Sequence, residues 1–259
     1  MHAGSTVITG GLMNNDERLA ARVWVVLPTF NEIENLGQML CAITALDPGL
    51  NILVVDDASP DGTGEMAEQM ARESARIRVV RRVRERGLGT AYRAGFQHAL
   101  RSGADAVITM DCDFSHDPRA IPTLLEASHT AHVVIGSRYV AGGQIEKWTL
   151  HRRLLSASAN RFARSLFDIP ARDCTSGFRL YRREVLEAIP WNRVRSTGYA
   201  FLVETLYWAS RQKSARIREV PICFVDRERG QGKMGARETF YGVTNLLRLR
   251  ADLSRLPDS

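Results

Sequence analysis

Ala106-Val107-Ile108-Thr109-Met110-Asp111-Cys112-Asp113-Phe114-Ser115-His116 is an apolar, β-branched run that stops on two carboxylates one residue apart. A buried strand ending in such a pair delivers hard oxygen ligands to a sheet edge, where a divalent cation and a phosphate can meet. Taken alone, the pair has a second meaning, with one Asp capping a turn and the other in solvent. The flanking chain decides between them.

Upstream, the same grammar recurs. Residues 23–27 (V-W-V-V-L) read as a strand, broken by Pro28-Thr29-Phe30-Asn31-Glu32 before a helical pattern that carries Leu36, Leu40 and Ile43. Asn31 and Glu34 have capping-box spacing, which puts a helix N-terminus beside the strand end. Residues 52–55, the turn cluster Asp56-Asp57-Ala58-Ser59-Pro60-Asp61-Gly62 and residues 63–73 form the second strand, turn and helix. Residues 77–80 then lead through Arg81, Arg82, Arg84, Arg86 and Gly87-Leu88-Gly89 to a helix over 91–100. Downstream of the acid pair, Pro118 opens a helix through Leu124 and Leu125, and residues 133–135 form a strand ending at Gly136-Ser137-Arg138.

Repeated strand–helix units predict an α/β fold with a mostly parallel sheet flanked by helices and binding groups at the carboxyl ends of its strands. Glu32, Asp56, Asp57, Asp111 and Asp113 then converge on one edge. Like charges gathered there raise one another's pKa unless a cation or hydrogen-bond donors offset them. Mg²⁺ or Mn²⁺ serves that purpose, while Glu32 and Asp57 can accept hydrogen bonds from ribose hydroxyls or base N–H groups. In the structural alternative Glu32 is a first-turn acid favoured by the helix dipole, and Asp56 and Asp61 are turn caps.

Past Arg138 the rhythm changes. Gly142-Gly143 marks a loop, and 148–167 is a long helical stretch with Leu150, Leu154, Phe162 and Leu166 on one face and Arg152, Arg153, Arg161 and Arg164 mostly on others. Residues 173–179 (D-C-T-S-G-F-R) read as a polar loop entering an apolar segment, 199–208 as a helix, and 217–225 as one alternating strand. A cationic, Gly-rich loop follows at 226–235, then an amphipathic helix over 237–253.

The 259 residues carry a net charge of +6, almost all of the positive charge from arginine, which suits anionic partners such as nucleotides or phospholipid headgroups. Residues 1–20 have neither a basic n-region nor an apolar h-region, and no apolar run approaches the ~18 residues of a membrane span. Cys41, Cys112, Cys174 and Cys223 are far apart and are expected to be reduced thiols of a cytoplasmic protein.

P-T-F-N-E at 28–32, V-V-D-D-A-S-P-D-G-T at 54–63, D-C-D at 111–113 and G-S-R-Y at 136–139 together resemble the inverting family-two glycosyltransferases of GT-A fold. W-T-L-H-R-R at 148–153, S-G-F-R-L-Y-R-R-E-V at 176–185 and D-R-E-R-G-Q-G-K-M-G at 226–235 narrow the resemblance to the dolichyl- or polyprenyl-phosphate mannose synthases. It covers roughly residues 23 to 249.

The resemblance implies transfer of mannose from GDP-mannose to a polyprenyl monophosphate. Pro28, Phe30, Glu32, Val55 and Asp57 would hold the nucleoside, and Asp111, Cys112 and Asp113 would meet the diphosphate and the metal. Ser115 stands where some members carry a Gln as a further ligand, and Phe30 stands where many carry Tyr. Arg138, Arg227 and Lys233 match cationic contacts to the diphosphate and acceptor phosphate, with Arg152 and Ser176 also on the acceptor side. Asp173 is expected either to position the acceptor and assist as a base or to cap its loop.

On this reading residues 1–21 are a flexible extension, 22–140 the nucleotide-sugar part and 141–253 the acceptor- and membrane-facing part of one domain, with 254–259 as a tail. The 148–167 helix and the C-terminal helix, with Phe240, Tyr241, Leu246, Leu247 and Leu249 beside Arg237, Arg248 and Arg250, have the composition of surface-lying helices, although most of these apolar side chains are expected in the core. Peripheral association with the cytoplasmic face of a membrane follows, directly, through a small membrane-anchoring subunit or beside a downstream membrane glycosyltransferase, with no nucleic-acid partner. Four alternatives weigh less. A UDP-glucose-dependent relative shares the motifs, a non-catalytic nucleotide-binding module leaves the acidic set and Lys233 unexplained, and a dehydrogenase fingerprint fails at Tyr92, where Gly or Ala is needed. An aspartate-nucleophile phosphatase would carry its acid pair on the first strand, not the fourth.

Overall fold

A computed structural model describes residues 22–47, 49–226 and 244–251. Strand β1 (Val23–Thr29) sits in the middle of the sheet because its alternate side chains are buried on both faces. Val23, Val25 and Leu27 enter one core cluster, and Trp24 and Val26 enter the other.

The elements follow in order as α1 (Ile33–Leu46), β2 (Asn51–Asp56), α2 (Thr63–Glu73), β3 (Ile77–Arg81), α3 (Leu88–Arg101) and β4 (Ala106–Thr109). A single 3₁₀ turn at Pro118–Ala120 runs into α4 (Ile121–Ser128), followed by β5 (Val133–Ser137), β6 (Gln144–Glu146) and α5 (Leu150–Phe167). The remainder comprises β7 (Arg179–Arg182), α6 (Arg183–Ala188), α7 (Tyr199–Ser210), β8 (Ile217–Pro221) and β9 (Cys223–Val225), and residues 244–251 are helical.

The main sheet has the order β3-β2-β1-β4-β7-β5-β8 and is parallel except for β7, which runs antiparallel to both its neighbours. Helices α1, α2 and α4 cover one face, whereas α3, α6, α7, the end of α5 and residues Leu246 and Leu249 cover the other. Strand order reverses at β1, with β2 on one side and β4 on the other. Connecting helices α1 and α3 leave on opposite faces, so a crevice opens at the carboxyl ends of β1 and β4. That crevice is where Phe30–Glu32 and Asp111–Asp113 emerge.

Gly95 lets α3 reach β1, because a Cβ there would run into the Val26 side chain. Gly89 plays the same part against the Phe201 ring, so the Gly87-Leu88-Gly89 sequence serves helix packing.

Three expectations are corrected. The 217–225 strand is two strands. The Ile222 N–H makes a last bond to the Ser137 carbonyl, the Ile222 carbonyl then accepts from Gln144 N–H, and β9 leaves to pair with β6. Strand β7, inside what reads as loop and apolar segment, is inserted between β4 and β5. Finally, α5 buries only Asn160, Ala163 and Phe167, leaving Leu150 72% and Leu154 60% exposed, so the apolar residues of its first half do not serve the core. Residues Leu246 and Leu249 do serve it, while Leu247 is half exposed. Phe240, Tyr241 and Arg237 lie outside the described residues, as do the proposed extension and tail.

Candidate active site at the carboxyl edge of the sheet

The loops after β1, β2 and β4 each contain a non-glycine residue in the left-handed region, Asn31 at φ 59°, Ala58 at 54° and Phe114 at 58°. Such conformations cost on the order of 1–3 kcal/mol each and persist where the surroundings over-determine them. Here the surroundings are a network of buried acids.

The first two loops are stitched together. Asn31 N–H donates to Ser59 Oγ at 3.0 Å, Glu32 N–H to Thr63 Oγ1 at 2.9 Å, and Ile33 N–H to Asp61 Oδ2 at 3.1 Å. The expected Asn31–Glu34 capping box is therefore replaced by a cap from the neighbouring loop. Burial opposes ionisation of Asp61, but hydrogen bonds from Thr63 and Ile33 outweigh it and hold the carboxyl below its usual range. Asp56 is structural too, fully buried and accepting from Thr29 and Ser59 with Arg81 alongside. Glu32 is 7% exposed and accepts from Asn35 Nδ2 at 2.9 Å.

Asp57 carries more than the sequence indicates. Arg82 Nε donates to it at 2.7 Å and Gly87 N–H at 2.8 Å, and the Arg82 side chain is itself buried, with Nη1 lacking a partner among the described residues. Arg82 reads in the sequence as one cation of a basic stretch, with no signal for this pairing. Arg86 lies over the Phe30 ring at 5.3 Å. Pro28 is half-buried at the strand end, whereas the Val55 side chain is wholly buried in the core, which leaves its main chain for any contact with a nucleoside.

At β4 the two carboxylates differ. Asp113 is 5% exposed, and its Oδ1 accepts from Ser115 N–H at 3.0 Å and from the Ser115 hydroxyl. Ser115 thus spends its proton on orienting Asp113. The Asp111 side chain is 32% exposed, with the fully buried Tyr92 hydroxyl 3.4 Å from its Oδ1. Cys112 points into the core, where burial and then the acids Glu32, Asp113 and Asp111 push its thiol well above the usual range. It can meet a ligand only through its main chain.

Among the described residues no three His, Cys, Asp or Glu side chains converge to hold a metal by themselves. Two neighbouring carboxylates at a strand end, one of them open, nonetheless suit a hard cation whose shell is completed by phosphate oxygens, the usual arrangement for Mg²⁺. The donor set fits such an ion.

His116 was not singled out by its sequence position, yet it links the acidic half to a cationic half. Its Nδ1 accepts the Asp111 N–H at 3.2 Å, and burial lowers its pKa. Its ring packs on Phe178 and Phe224, each at 5.4 Å. Phe224 in turn meets Trp148 at 5.4 Å and the Arg138 guanidinium at 5.3 Å. Val225 N–H also bonds the Ser115 carbonyl, tying β9 to the acid loop.

Arg138 is anchored in a buried ion pair. Its Nε and Nη2 donate to Asp173 at 2.8 and 2.7 Å, and Nη2 also reaches Thr175. Asp173, wholly buried, accepts in addition from the main-chain N–H groups of Arg138, Thr175 and Ser176. Burial would raise its pKa, but the charge and hydrogen bonds of Arg138 hold it below the usual range. Asp173 thus accepts from the main chain of its own loop, as a loop cap does, and is paired with Arg138. Ser176 is 2% exposed, and its hydroxyl donates to the Gly136 carbonyl. Arg227 and Lys233 lie outside the described residues.

Arg152 lies on the Trp148 ring and pairs with Asp226, while Arg153 reaches the Ile145 carbonyl. Arg161 and Arg164 are exposed, as a solvated face requires. Between β6 and α5 lies a cavity of about 540 Å³ whose lining includes Arg138, Arg153 and Glu146 beside Tyr139, Ile145, Leu154 and Ala157.

Comparison with known proteins adds to this geometry. The model of "Glycosyl transferase family 2" matches residues 24–189. The chain is 42% identical over 227 residues to the undecaprenyl-phosphate mannosyltransferase of Micrococcus luteus, covering 88% of this chain and 93% of that protein. It is 41% identical to the polyprenol monophosphomannose synthase of Mycolicibacterium smegmatis, with 92% of each chain covered. The fold is similar to that of glucosyl-3-phosphoglycerate synthase from Mycobacterium tuberculosis in complex with Mn²⁺, UDP and phosphoglyceric acid, with TM-score 0.65, 22% identity and coverage of 93% and 82% of the two chains.

Proposed function

Because the chain belongs to glycosyl transferase family 2, we propose that it transfers mannose from GDP-mannose to a polyprenyl monophosphate. The two bacterial relatives, similar across almost their whole length, are named for mannosyl transfer to polyprenol phosphates. The observation in the structure that carries the reading is an acidic strand edge together with a cavity whose lining includes two cations, Arg138 and Arg153, and the apolar side chains of Ile145, Leu154 and Ala157. A nucleotide sugar suits the first and a phosphate bearing a hydrocarbon tail suits the second. Residues 22–140 supply the donor side and 141–253 the acceptor side.

Asp111 and Asp113 hold a divalent cation, Mg²⁺ or Mn²⁺, which when bound neutralises charge on the departing diphosphate. Glu32 and Asp57 accept hydrogen bonds from the nucleoside, and Pro28 and Phe30 line its path. Arg152, together with Arg227 and Lys233, offsets the repulsion between acceptor phosphate and nucleotide. An oxygen of the lipid phosphate attacks the anomeric carbon as the bond to GDP breaks, and GDP leaves. Because the phosphate is already ionised at neutral pH, no side chain has to take a proton. This agrees with the burial of Asp173 as a counterion. Positioning of two anions for in-line displacement is the main task left to the protein.

Presented with equimolar GDP-mannose and UDP-glucose and a short polyprenyl phosphate, the enzyme is expected to make the mannosyl lipid in at least roughly tenfold excess, a ratio worth about 1.4 kcal/mol. Dominant glucosyl transfer would replace the donor assignment.

No helix among the described residues is long and apolar enough to cross a membrane. The exposed Leu150, Leu154 and Phe162 beside Arg153, Arg161 and Arg164 support α5 as a surface that lies on an anionic bilayer, directly or beside a membrane subunit. Sedimentation with vesicles containing phosphatidylglycerol tests this. Leu150→Asp with Leu154→Asp is expected to weaken binding about tenfold or more, since each apolar side chain contributes on the order of 1.5 kcal/mol or more when buried. Unchanged binding by this double variant would remove α5 from the membrane surface.

A further inference from the structure

Trp148 has no role in the chemistry above, and its surroundings single it out. The Arg152 guanidinium carbon lies 4.2 Å from the centre of its ring, and the guanidinium of Arg138 lies 5.8 Å from it. Trp148 is 7% exposed and is braced edge-on by Phe224. Its Nε1–H is buried without a hydrogen-bond partner among the described residues. A tryptophan normally recovers the cost of burial through that N–H. Here the ring face, not the N–H, is in use.

Arg152 already holds an anion in this geometry. Its Nη1 pairs with the Asp226 carboxylate, itself partly exposed. Two oxygens of a carboxylate and two of a phosphate present a guanidinium with similar acceptors. The seat for an anion beside the indole is thus formed before any substrate arrives, with an internal carboxylate as its occupant.

We propose that Trp148 is a positioning residue for the lipid acceptor. Its indole presets Arg152 for the acceptor phosphate, which displaces Asp226 from the guanidinium. This rests on the reading of Arg152 as a phosphate ligand. An arginine spread on an aromatic face loses little further freedom on binding, whereas one in solvent must be ordered at the moment of binding.

Steady-state kinetics with farnesyl phosphate as acceptor test the proposal. Arg152→Ala and Trp148→Leu are each expected to raise the acceptor KM about tenfold, with the GDP-mannose KM within about twofold and the double variant no worse than either. Trp148→Phe keeps an aromatic face and is expected to recover the acceptor KM to within about threefold of wild type. Asp226→Asn removes the competing charge and is expected to lower the acceptor KM, a readout independent of whether the Leu variant folds.

If Arg152→Ala raises the acceptor KM and Trp148→Leu does not, the role of Trp148 fails and the phosphate reading stands. If Arg152→Ala leaves it unchanged, the phosphate reading fails and takes the proposal with it. Parallel rises in both KM values with a lowered melting temperature and no recovery in Trp148→Phe would show a merely structural tryptophan. A higher acceptor KM in Asp226→Asn would likewise overturn the proposal.

Discussion

Asp113→Ala is expected to lower mannosyl transfer on the order of 10³-fold or more, and to abolish metal-dependent binding of GDP, in a protein that still folds. Loss of one preorganised group that stabilises developing charge already costs roughly 10²–10³ in rate, and Asp113 is proposed to hold the cation itself. The structural cost is smaller. Removing the carboxylate leaves the Ser115 N–H without its acceptor, a loss of about 1–3 kcal/mol for a buried donor. Asp113→Asn separates the two effects. The amide oxygen can still accept from Ser115, so stability is expected to stay near wild type while turnover is lost as in the alanine variant. Titration of Mn²⁺ with GDP present, read by paramagnetic resonance, checks binding without catalysis. Either variant retaining a tenth of wild-type turnover would remove Asp113 from the metal site.

A comparably large effect, this time on stability, is expected from Arg138→Met. The Arg138 side chain is 7% exposed and that of Asp173 is fully buried, so removing the cation strands a carboxylate in the interior. Breaking such a pair costs about 3–5 kcal/mol, which for a chain of this size corresponds to a fall in Tm of roughly 6–20 °C. Asp173→Asn is expected to cost less, because the amide oxygen still accepts from the main-chain N–H groups of Arg138, Thr175 and Ser176. The pH dependence follows from the direction of the Asp173 shift. Its carboxyl is held below the ordinary value of 3.8, so the pair's contribution is fully present above that value and lost as pH falls through the lower folded one. A wild-type protein whose acid unfolding matches that of Asp173→Asn would contradict this assignment.

These residues also mark where the sequence stops being legible. Strands β1, β2 and β4 are readable because burial on both faces writes a continuous apolar run, and the acids at their ends follow from the parallel topology. Strand β7 writes no such run. It begins at Arg179, a fully buried cation whose terminal nitrogens donate to the carbonyls of Cys174 and Leu202 and to the Tyr181 hydroxyl, and no periodicity foretells that. The Arg138–Asp173 pair spans 35 positions and the Arg82–Asp57 pair 25, distances at which charge complementarity has no local signature. The Asp61 cap on Ile33 bridges two loops for the same reason. On α5 the sequence shows the apolar residues but not which of them the sheet covers. That depends on where the helix is anchored, at Asn160, Ala163 and Phe167.

Direct displacement of GDP by the lipid phosphate is the claim on which the site's arrangement turns, and the configuration of the product tests it most directly. With GDP-mannose, Mn²⁺ and a polyprenyl phosphate, a single in-line attack inverts the anomeric centre, and NMR of the purified lipid is expected to show β-linked mannosyl phosphate only. An α-linked product would require a two-step path through a group of the protein and would contradict the account.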